Sequence, residues 1–382
     1  MNECIVTIVI STGPARGLVG GITRHMQLLE CIAERLAIRF EHFQIGRRPG
    51  ERGARAQLRR LWLDYREFAL ALKAARRDGR DVVAHVNSSI KPVCVVRDAG
   101  FVLIARLLRV PVIYQVHGCL LQGPQDGRPW LRRAAQWVLA RADRVVVLSR
   151  AQCLAIGGDA AQRAVPVGNA VRMLPPIKRT RSSGAPFKIL FLSRLVPEKG
   201  VDLCLEAMQL LRRRGLDVEL ELAGSGPMLG GLPARIEAMG LTGVVRPSGF
   251  VPPEQTRQRL LANDLMWLPS LVPEGQPYAL LEALETGMPV VVTRAGAVLG
   301  EMIDTAVQYD GALVESEATA SALAEVTASL VCDPARFARL QLAARTLAER
   351  CYSMEAVLPR WRAIWQMAES VADTLDVAAS GK

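Results

Sequence analysis

The chain has 382 residues, half of them apolar, and carries a formal net charge of +11. A single hydrophobic core seldom grows past about 250–300 residues, so the length predicts two domains, and the apolar content excludes a wholly disordered chain. The eight cysteines and four histidines show no CxxC or HExxH spacing, which argues against a disulfide framework or a zinc site.

The charge is concentrated in the N-terminal half. The first 180 residues hold 29 basic and 13 acidic side chains, whereas the remainder holds 19 and 24. This imbalance indicates an anionic partner, such as a phosphate ester, an acidic lipid or a nucleic acid, although a solvated arginine-rich surface would look the same. The chain has neither a basic signal-peptide start nor about 18 uninterrupted apolar residues. We therefore expect a cytoplasmic protein, with peripheral attachment to the inner face of the cell membrane as an option.

The first half alternates short apolar runs with longer amphipathic stretches. The predicted elements, in chain order, are strand Ile5–Ile10, a helix from Gly20-Gly21 to about Ala37, strand Phe40–Ile45, helix Arg55–Arg77, and strands Val82–Val86, Val112–Val116 and Val145–Leu148. Such alternation is typical of a parallel sheet covered by helices on both faces.

Proline, charge and small residues then interrupt the pattern from Leu174 to Pro186, which is a linker composition. The alternation restarts with strand Lys188–Leu192, helix Val201–Arg214, strand Val218–Ala223, helix Leu232–Met239, strands Val244–Ser248 and Leu265–Leu268, helix Tyr278–Thr286 and strand Val290–Thr293. From about Ser321 the chain is almost wholly helical. The sequence therefore predicts two doubly wound α/β domains facing each other.

Loops that follow the strands are the places to search for a site, because ligands of open parallel sheets bind at the carboxyl ends of strands. The loop after Lys188–Leu192 contains Arg194 and Lys199 beside a helix start, where two cations would suit a diphosphate. Surface charges flanking a turn are the alternative. After Val218–Ala223, Gly224 and Gly226 would let a ligand approach the backbone.

The richest loop follows Leu265–Leu268. Glu274 lies in this loop and Glu282 stands eight residues later, inside the next helix. The stretch Gly275–Pro277 occupies the helix start, whose N–H groups attract anions, and an ionised carboxylate accepts hydrogen bonds from sugar hydroxyls. The alternative is that Glu282 only faces solvent. In the first half, Gly20-Gly21 opens a helix and His117 ends a strand.

These motifs resemble the retaining family 4 glycosyltransferases of the GT-B fold over nearly the whole chain. The likeness rests on the following stretches: Gly20-Gly21, His117-Gly118, Val167–Val171, Ser193–Gly200, Ala223–Pro227, the Glu274-x7-Glu282 spacing and Tyr352–Glu355. The resemblance implies an α/β GT-B fold, with two Rossmann-like domains facing each other across a cleft. It implies an acceptor-binding domain over 1–173, a linker over 174–187, a nucleotide-sugar domain over 188–357, and a helix over 358–382 that crosses back to the first domain.

The resemblance also implies roles for individual residues. Arg194 and Lys199 would hold the leaving diphosphate, and Glu282 would bind the ribose hydroxyls. Glu274 would address the donor sugar and phosphates together with Gly224, Gly226, Gly275, Gln276, Pro277 and Tyr278. His117 would sit beside the sugar, and Gly20 and Gly21 would form the acceptor and phosphate loop. No metal and no cofactor is expected beyond the nucleotide-sugar substrate.

The partners expected from the resemblance are a nucleotide sugar and a saccharide acceptor, often lipid-linked, in polysaccharide or glycolipid biosynthesis. The arginine-rich stretches 55–77 and 128–144, with their tryptophans, Tyr65 and Phe68, predict contact with an anionic membrane. Three alternatives stay open: a GT-B nucleotide-sugar epimerase, a nucleic-acid-binding protein using the basic half, and an inactive scaffold. No nucleic-acid-binding motif is present, so we do not expect a nucleic-acid partner. The family's usual Phe-Gly-Leu is replaced by Gln276-Pro277-Tyr278, which leaves the donor sugar open.

Overall fold

A computed structural model describes residues 7–14, 20–46, 53–77, 81–89, 91–118, 129–177 and 184–366. The chain divides into two compact units. Unit one comprises residues 1–170 and 354–382, and unit two comprises residues 171–353. Each unit contains one six-stranded sheet in which all neighbouring strands run parallel.

Unit one alternates strands and helices along the chain. Its elements are β1 (Ile8–Gly13), α1 (Gly21–Arg35), β2 (Arg39–Gln44), α2 (Ala54–Arg77), β3 (Val82–Ser88), α3 (Pro92–Leu107), β4 (Val112–Val116), α4 (Pro129–Leu139), β5 (Arg144–Val147), α5 (Arg150–Ile156), α6 (Gly158–Gln162) and β6 (Ala164–Pro166). The strand order across the sheet is β2-β1-β3-β4-β5-β6.

Unit two repeats this plan. Its elements are β7 (Phe187–Leu192), α7 (Val201–Arg213), β8 (Val218–Ala223), α8 (Leu232–Ala238), β9 (Val245–Gly249), α9 (Pro253–Ala262), β10 (Leu265–Leu268), α10 (Tyr278–Glu285), β11 (Val290–Thr293), α11 (Ala297–Val307), β12 (Leu313–Ser316), α12 (Ala320–Val331) and α13 (Pro334–Leu347). The order is β12-β11-β10-β7-β8-β9. The predicted α/β class with a doubly wound sheet in each domain is confirmed.

The direction in which strands are added reverses once in each sheet. In unit two, β8 and β9 extend from one side of β7, and β10 to β12 extend from the other. In unit one the reversal falls between β1 and β3. Helices that leave such a pair of strands pass to opposite faces, which opens a crevice at the carboxyl ends where ligands of these folds bind. Each unit therefore has one preferred position for a ligand.

The last described helix, α14 (Met354–Trp365), belongs to unit one. Its Trp361 and Trp365 are fully buried and pack in one apolar cluster with Leu29 and Ile32 of α1. Val171 and Ser353, the first and last residues of unit two, form a parallel bridge with each other. The chain thus enters and leaves unit two at adjacent positions.

Two sequence expectations for unit one need correction. The first strand covers Ile8–Gly13 instead of Ile5–Ile10. Residues 5 and 6, which belong to the predicted strand, lie outside the described residues. Its polar end is buried because Ser11 and Thr12 contact the next strand. The expectation that Phe68 contributes to a membrane contact is wrong, because Phe68 is fully buried. Tyr65 is half-buried, and its hydroxyl donates a hydrogen bond to the Arg97 carbonyl. Among the described helices, none is both long and apolar enough to cross a membrane.

Candidate functional site

The reversal point of unit two brings together the loops that follow β7 and β10. Lys199 from the first loop and Glu274 from the second form an ion pair, and their side chains are only 12% and 13% exposed. Burying two opposite charges this far out of water is tolerated only when they are paired, so the two loops are fixed to each other at Lys199 and Glu274. The sequence predicted both residues and their roles but not this contact.

A left-handed glycine places Lys199 at this position. Gly200 has φ +78° and forms the N-cap of α7 directly after Lys199. A Cβ at Gly200 would overlap the carbonyl oxygen of Pro269, which begins the β10 loop. The two loops are also joined by a hydrogen bond from the Leu271 amide to the Glu198 carbonyl, 2.9 Å. The close approach of these backbones therefore requires glycine at residue 200.

The glycines after β8 serve a similar packing purpose. A Cβ at Gly224 would overlap the Ser193 carbonyl oxygen, and a Cβ at Gly226 would overlap that of Leu195. The Leu195 amide donates to the Ser225 carbonyl over 2.9 Å. Both glycines thus hold the β8 loop against the loop that carries Arg194 and Lys199, a role that was not expected from the sequence.

The loop after β11 supports Glu274 from the other side. The Glu274 amide donates to the Ala295 carbonyl at 2.9 Å, and the Thr293 hydroxyl donates to the Ser270 carbonyl at 2.6 Å. Gly296 has φ +86° and lies against Pro273. Four consecutive strand-end loops of one sheet, those after β8, β7, β10 and β11, therefore form one hydrogen-bonded frame.

The other predicted donor residues lie on or beside this frame. Pro277 is the N-cap of α10, so Gly275 and Gln276 lead directly into the helix start, and Tyr278 is its first residue. Glu282 lies one turn further and is half-buried, while Gln276 is buried. Arg194 is exposed and has no ion-pair partner among the described residues, which leaves its guanidinium available to a ligand anion.

A buried carboxylate anchors the far end of α10. Glu285 is 4% exposed and accepts hydrogen bonds from Arg345 and from the Leu174 amide, both at 3.1 Å. Arg345 also donates to the Leu174 carbonyl at 2.7 Å. Leu174, the first residue of the predicted linker, is therefore hydrogen-bonded to α10, the helix that carries Glu282, and to α13.

In unit one, the predicted site residues lie at the start of α1 and directly after β4. Gly20 is the N-cap of α1 and Gly21 its first residue, as the sequence indicated. His117 follows β4, and its Nε2 lies 2.8 Å from Oδ1 of Asn87 at the end of β3. The sequence did not point to Asn87, because a single asparagine near the end of an apolar strand carries no distinctive spacing.

Three of the four histidines gather behind this edge of the sheet. The ring centroids of His25 and His117 lie 4.6 Å apart, and Oε1 of Gln115 lies 2.9 Å from Nε2 of His25 and 3.1 Å from Nε2 of His85. Burial lowers the pKa of His25 to about 4 and that of His85 to about 3. Burial, with His25 and His85 nearby, also holds the pKa of His117 well below its usual range. All three imidazoles are neutral at pH 7.

We expect unit one to lose stability in mild acid. The unfolded histidines have a pKa of about 6.5, so below that pH the unfolded state takes up protons that folded His25 and His85 refuse until pH falls to about 4 and 3. Each histidine should cost about 2 kcal/mol at pH 5 relative to pH 7. Urea unfolding followed by tryptophan fluorescence at both pH values measures this loss. His85→Gln should remove about 2 kcal/mol of it, and equal stability at pH 5 and pH 7 would contradict the expectation.

In the part of the chain that the structure describes, no group of three or more His, Cys, Asp or Glu side chains has the geometry of a metal site.

Comparisons with known proteins agree with this architecture. The family model for the glycosyl transferase 4-like domain matches residues 8–169, and that for glycosyl transferases group 1 matches residues 177–347. The amylovoran biosynthesis glycosyltransferase AmsK of Erwinia amylovora is 32% identical over 169 residues, which are 43% of this chain and 40% of that protein. A GDP-mannose-dependent alpha-(1-6)-phosphatidylinositol monomannoside mannosyltransferase of Mycolicibacterium smegmatis is 32% identical over 165 residues, or 41% of this chain and 42% of that protein.

The matched stretches thus span about two fifths of the length of these two curated relatives. The solved structure of Alr3699/HepE from Anabaena, in complex with UDP and glucose, matches with a TM-score of 0.68 at 19% identity and covers 96% of this chain and 99% of that one. The two family models together account for both units, and the structural match accounts for their fold. The chain belongs to the group 1 glycosyltransferases of family 4 and has the GT-B fold.

Proposed function

We propose that the protein transfers a sugar from a nucleoside-diphosphate sugar to a saccharide acceptor in the synthesis of a cell-surface polysaccharide or glycolipid. The observation that carries the proposal is the Lys199–Glu274 pair at the strand reversal of unit two. Strand ends at such a point are where nucleotides bind in doubly wound sheets. Lys199 stands at the start of α7, and Arg194 is exposed in the same loop, so this loop places two cations beside a helix start, where a diphosphate would bind.

In this proposal, each of the two loops binds a different part of the donor. Lys199 and Arg194 neutralise the diphosphate as it leaves, which lowers the barrier to breaking the glycosidic bond. Glu274 and the helix start at Gly275–Tyr278 bind the sugar and the phosphates, and Glu282 binds the ribose hydroxyls. Neither a metal nor a further cofactor is part of the scheme.

We propose that the anomeric configuration is retained. The bond from the anomeric carbon to the diphosphate oxygen breaks, and the acceptor hydroxyl bonds to the same face of that carbon. Its proton passes to the departing phosphate oxygen. The support for this step is the resemblance of the Glu274-x7-Glu282 spacing to retaining members of the family.

Turnover with a defined donor tests the proposal. UDP-glucose and GDP-mannose are the first donors to try, because one neighbour was solved with UDP and glucose and one relative is named as GDP-mannose-dependent. We expect nucleoside diphosphate to be released only when a saccharide acceptor is present, and proton NMR of the product to show the donor's anomeric configuration. Release of an altered sugar without any acceptor would favour an epimerase instead.

We further propose that the acceptor is lipid-linked and that unit one rests on an anionic membrane. Leu58, Trp62, Val93 and Trp130 are between 50% and 80% exposed, in contrast to the buried side of the same helices. A cavity of about 690 Å³ opens among α2, α3 and α4, lined in part by Leu58, Val93 and Trp130. Exposed apolar and tryptophan side chains next to arginines match the chemistry of a lipid headgroup region.

Vesicle flotation tests the membrane proposal. The protein should float with vesicles containing anionic lipid and stay behind with purely zwitterionic ones. Leu58→Ser combined with Trp62→Ala should abolish flotation, because both side chains belong to the exposed apolar face. Leu342→Ser is the matched control, since Leu342 is 71% exposed in unit two and Leu58 is 67% exposed. Flotation that is independent of lipid charge and of the Leu58 and Trp62 changes would refute the proposal.

A further inference from the structure

Asn87 spans the strand reversal of unit one. It lies near the end of β3, is 3% exposed, and its side-chain nitrogen reaches across to β1. Nδ2 lies 2.9 Å from the Ser11 hydroxyl and 3.0 Å from the Thr12 carbonyl oxygen, with the Met26 sulfur at 3.5 Å. The backbone amide of Asn87 also donates to the Thr12 hydroxyl at 3.1 Å. The side chain is therefore held at the position where a doubly wound sheet binds its ligand.

These contacts fix which end of the amide is nitrogen. A backbone carbonyl can only accept a hydrogen bond, so the atom 3.0 Å from the Thr12 oxygen must be a donor. Reversing the amide would set two carbonyl oxygens against each other at that distance. Oδ1 of Asn87 consequently faces Nε2 of His117 at 2.8 Å and can only accept.

The direction of this bond determines the tautomer of His117. Because Oδ1 accepts, Nε2 of His117 carries the hydrogen. A neutral imidazole holds one hydrogen, so Nδ1 is left with a lone pair and acts as an acceptor. His117 is only part-buried, and within the described residues its Nδ1 has no hydrogen-bond partner, so this atom is open to a ligand.

The surroundings of His117 preserve its neutral form. Burial and the neighbouring His25 and His85 keep the pKa of His117 well below its usual range. A charged imidazole at this position would also face His25 and His85, neither of which carries a negative charge that could offset it. The Nδ1 lone pair therefore persists at physiological pH.

We propose that Asn87 is a positioning residue that holds His117 as the Nε2–H tautomer, so that Nδ1 accepts a hydrogen bond from a sugar hydroxyl of the substrate. This inference rests on the proposed function, because the hydroxyl belongs to the sugar being transferred or accepted. The Ser11 and Thr12 contacts fix Asn87, Asn87 fixes the imidazole, and the imidazole then selects ligands that present a hydroxyl donor.

Nitrogen NMR of the full chain, labelled with ¹⁵N-histidine, tests the tautomer without any substrate. Only four histidines contribute signals, and His117→Gln identifies those of His117 by their loss. We expect the His117 signals of the wild type to show a hydrogen on Nε2 and a bare Nδ1 at pH 7. Asn87→Leu, which removes the acceptor, should shift them toward exchange between both tautomers. A hydrogen on Nδ1 in the wild type would overturn the inference.

The pH dependence of turnover provides a second readout. A carboxylate in place of the Asn87 amide still accepts from Nε2 but favours the imidazolium, so Asn87→Asp should lose activity at pH 7 and regain it as pH rises. Asn87→Leu should lose roughly tenfold in kcat, the order of one hydrogen bond, without recovery at high pH. A merely structural role would leave Asn87→Asp without any recovery at high pH, and that result would refute the inference. If neither donor is turned over but the tautomer responds to Asn87→Leu, the proposed function fails while the tautomer assignment stands.

Discussion

Lys199→Ala is expected to lower kcat by about 100- to 1,000-fold, the usual effect of removing one preorganised group that stabilises developing charge. Lys199 is the cation at the strand reversal of unit two, and its side chain is only 12% exposed where it pairs with Glu274. Arg194 lies in the same loop but is exposed, so it should not replace a charge that is held largely out of water. The measurement is steady-state release of nucleoside diphosphate in the presence of acceptor.

Lys188→Ala is the matched control for this change. Lys188 is an exposed residue on the same strand β7, near the end opposite to the Lys199 loop. Its removal should leave kcat within about twofold of the wild type, because it is remote from the strand ends that hold the site. Lys199→Ala also removes the positive charge that pairs with the largely buried Glu274 carboxylate, at a cost of about 1–3 kcal/mol, so activity should be assayed well below the melting temperature. Full turnover by Lys199→Ala would refute the assigned site.

Gly200→Ala should lower the free energy of unfolding of unit two by more than the penalty for a left-handed backbone angle alone. Gly215, which follows α7, has φ +76° and nothing within 4 Å of an added Cβ, whereas Gly200 has φ +78° and faces the Pro269 carbonyl. Alanine at Gly215 should therefore cost roughly 1–2 kcal/mol, the left-handed penalty. Alanine at Gly200 should cost about 1–3 kcal/mol more, because the β7 and β10 loops must separate.

The same pair of variants distinguishes stability from function. Separation of the two loops moves Lys199 away from Glu274, so Gly200→Ala should also weaken donor binding at temperatures where the protein is still folded. Gly215→Ala should bind donor like the wild type. Chemical unfolding and donor titration measure the two effects, and equal losses in both variants would show that the contact with Pro269 has no such role.

The sequence predicted the strand ends of unit two well, because its motifs are local. The loop Ser193–Gly200 and the Glu274-x7-Glu282 spacing each fall within one strand–loop–helix segment, where neighbours in sequence are neighbours in space. The bounds of the strand Val112–Val116 were predicted correctly. Short elements such as β6, with three residues, carry too little pattern to be recognised.

The missed features depend on contacts between distant residues. Asn87 owes its importance to Thr12, 75 positions away, and to His117, 30 positions away. Gly224 and Gly226 were interpreted as space for a ligand, whereas each lies against the backbone of the preceding strand-end loop. Likewise, Lys199 and Glu274 were seen as separate motifs although they form an ion pair. Strand order creates these contacts, and one sequence does not reveal which loops become neighbours.

Binding of a nucleoside diphosphate to the frame of unit two is the central claim, and calorimetric titration tests it most directly. UDP and UMP, and likewise GDP and GMP, should be titrated into the full chain and into its Lys199→Ala variant. We predict that one of the two diphosphates binds the wild type at least about tenfold more tightly than its monophosphate, a difference of about 1.4 kcal/mol, and that Lys199→Ala removes most of this preference. Equal affinity for both members of each pair in the wild type, or a preference that survives Lys199→Ala, would contradict the account.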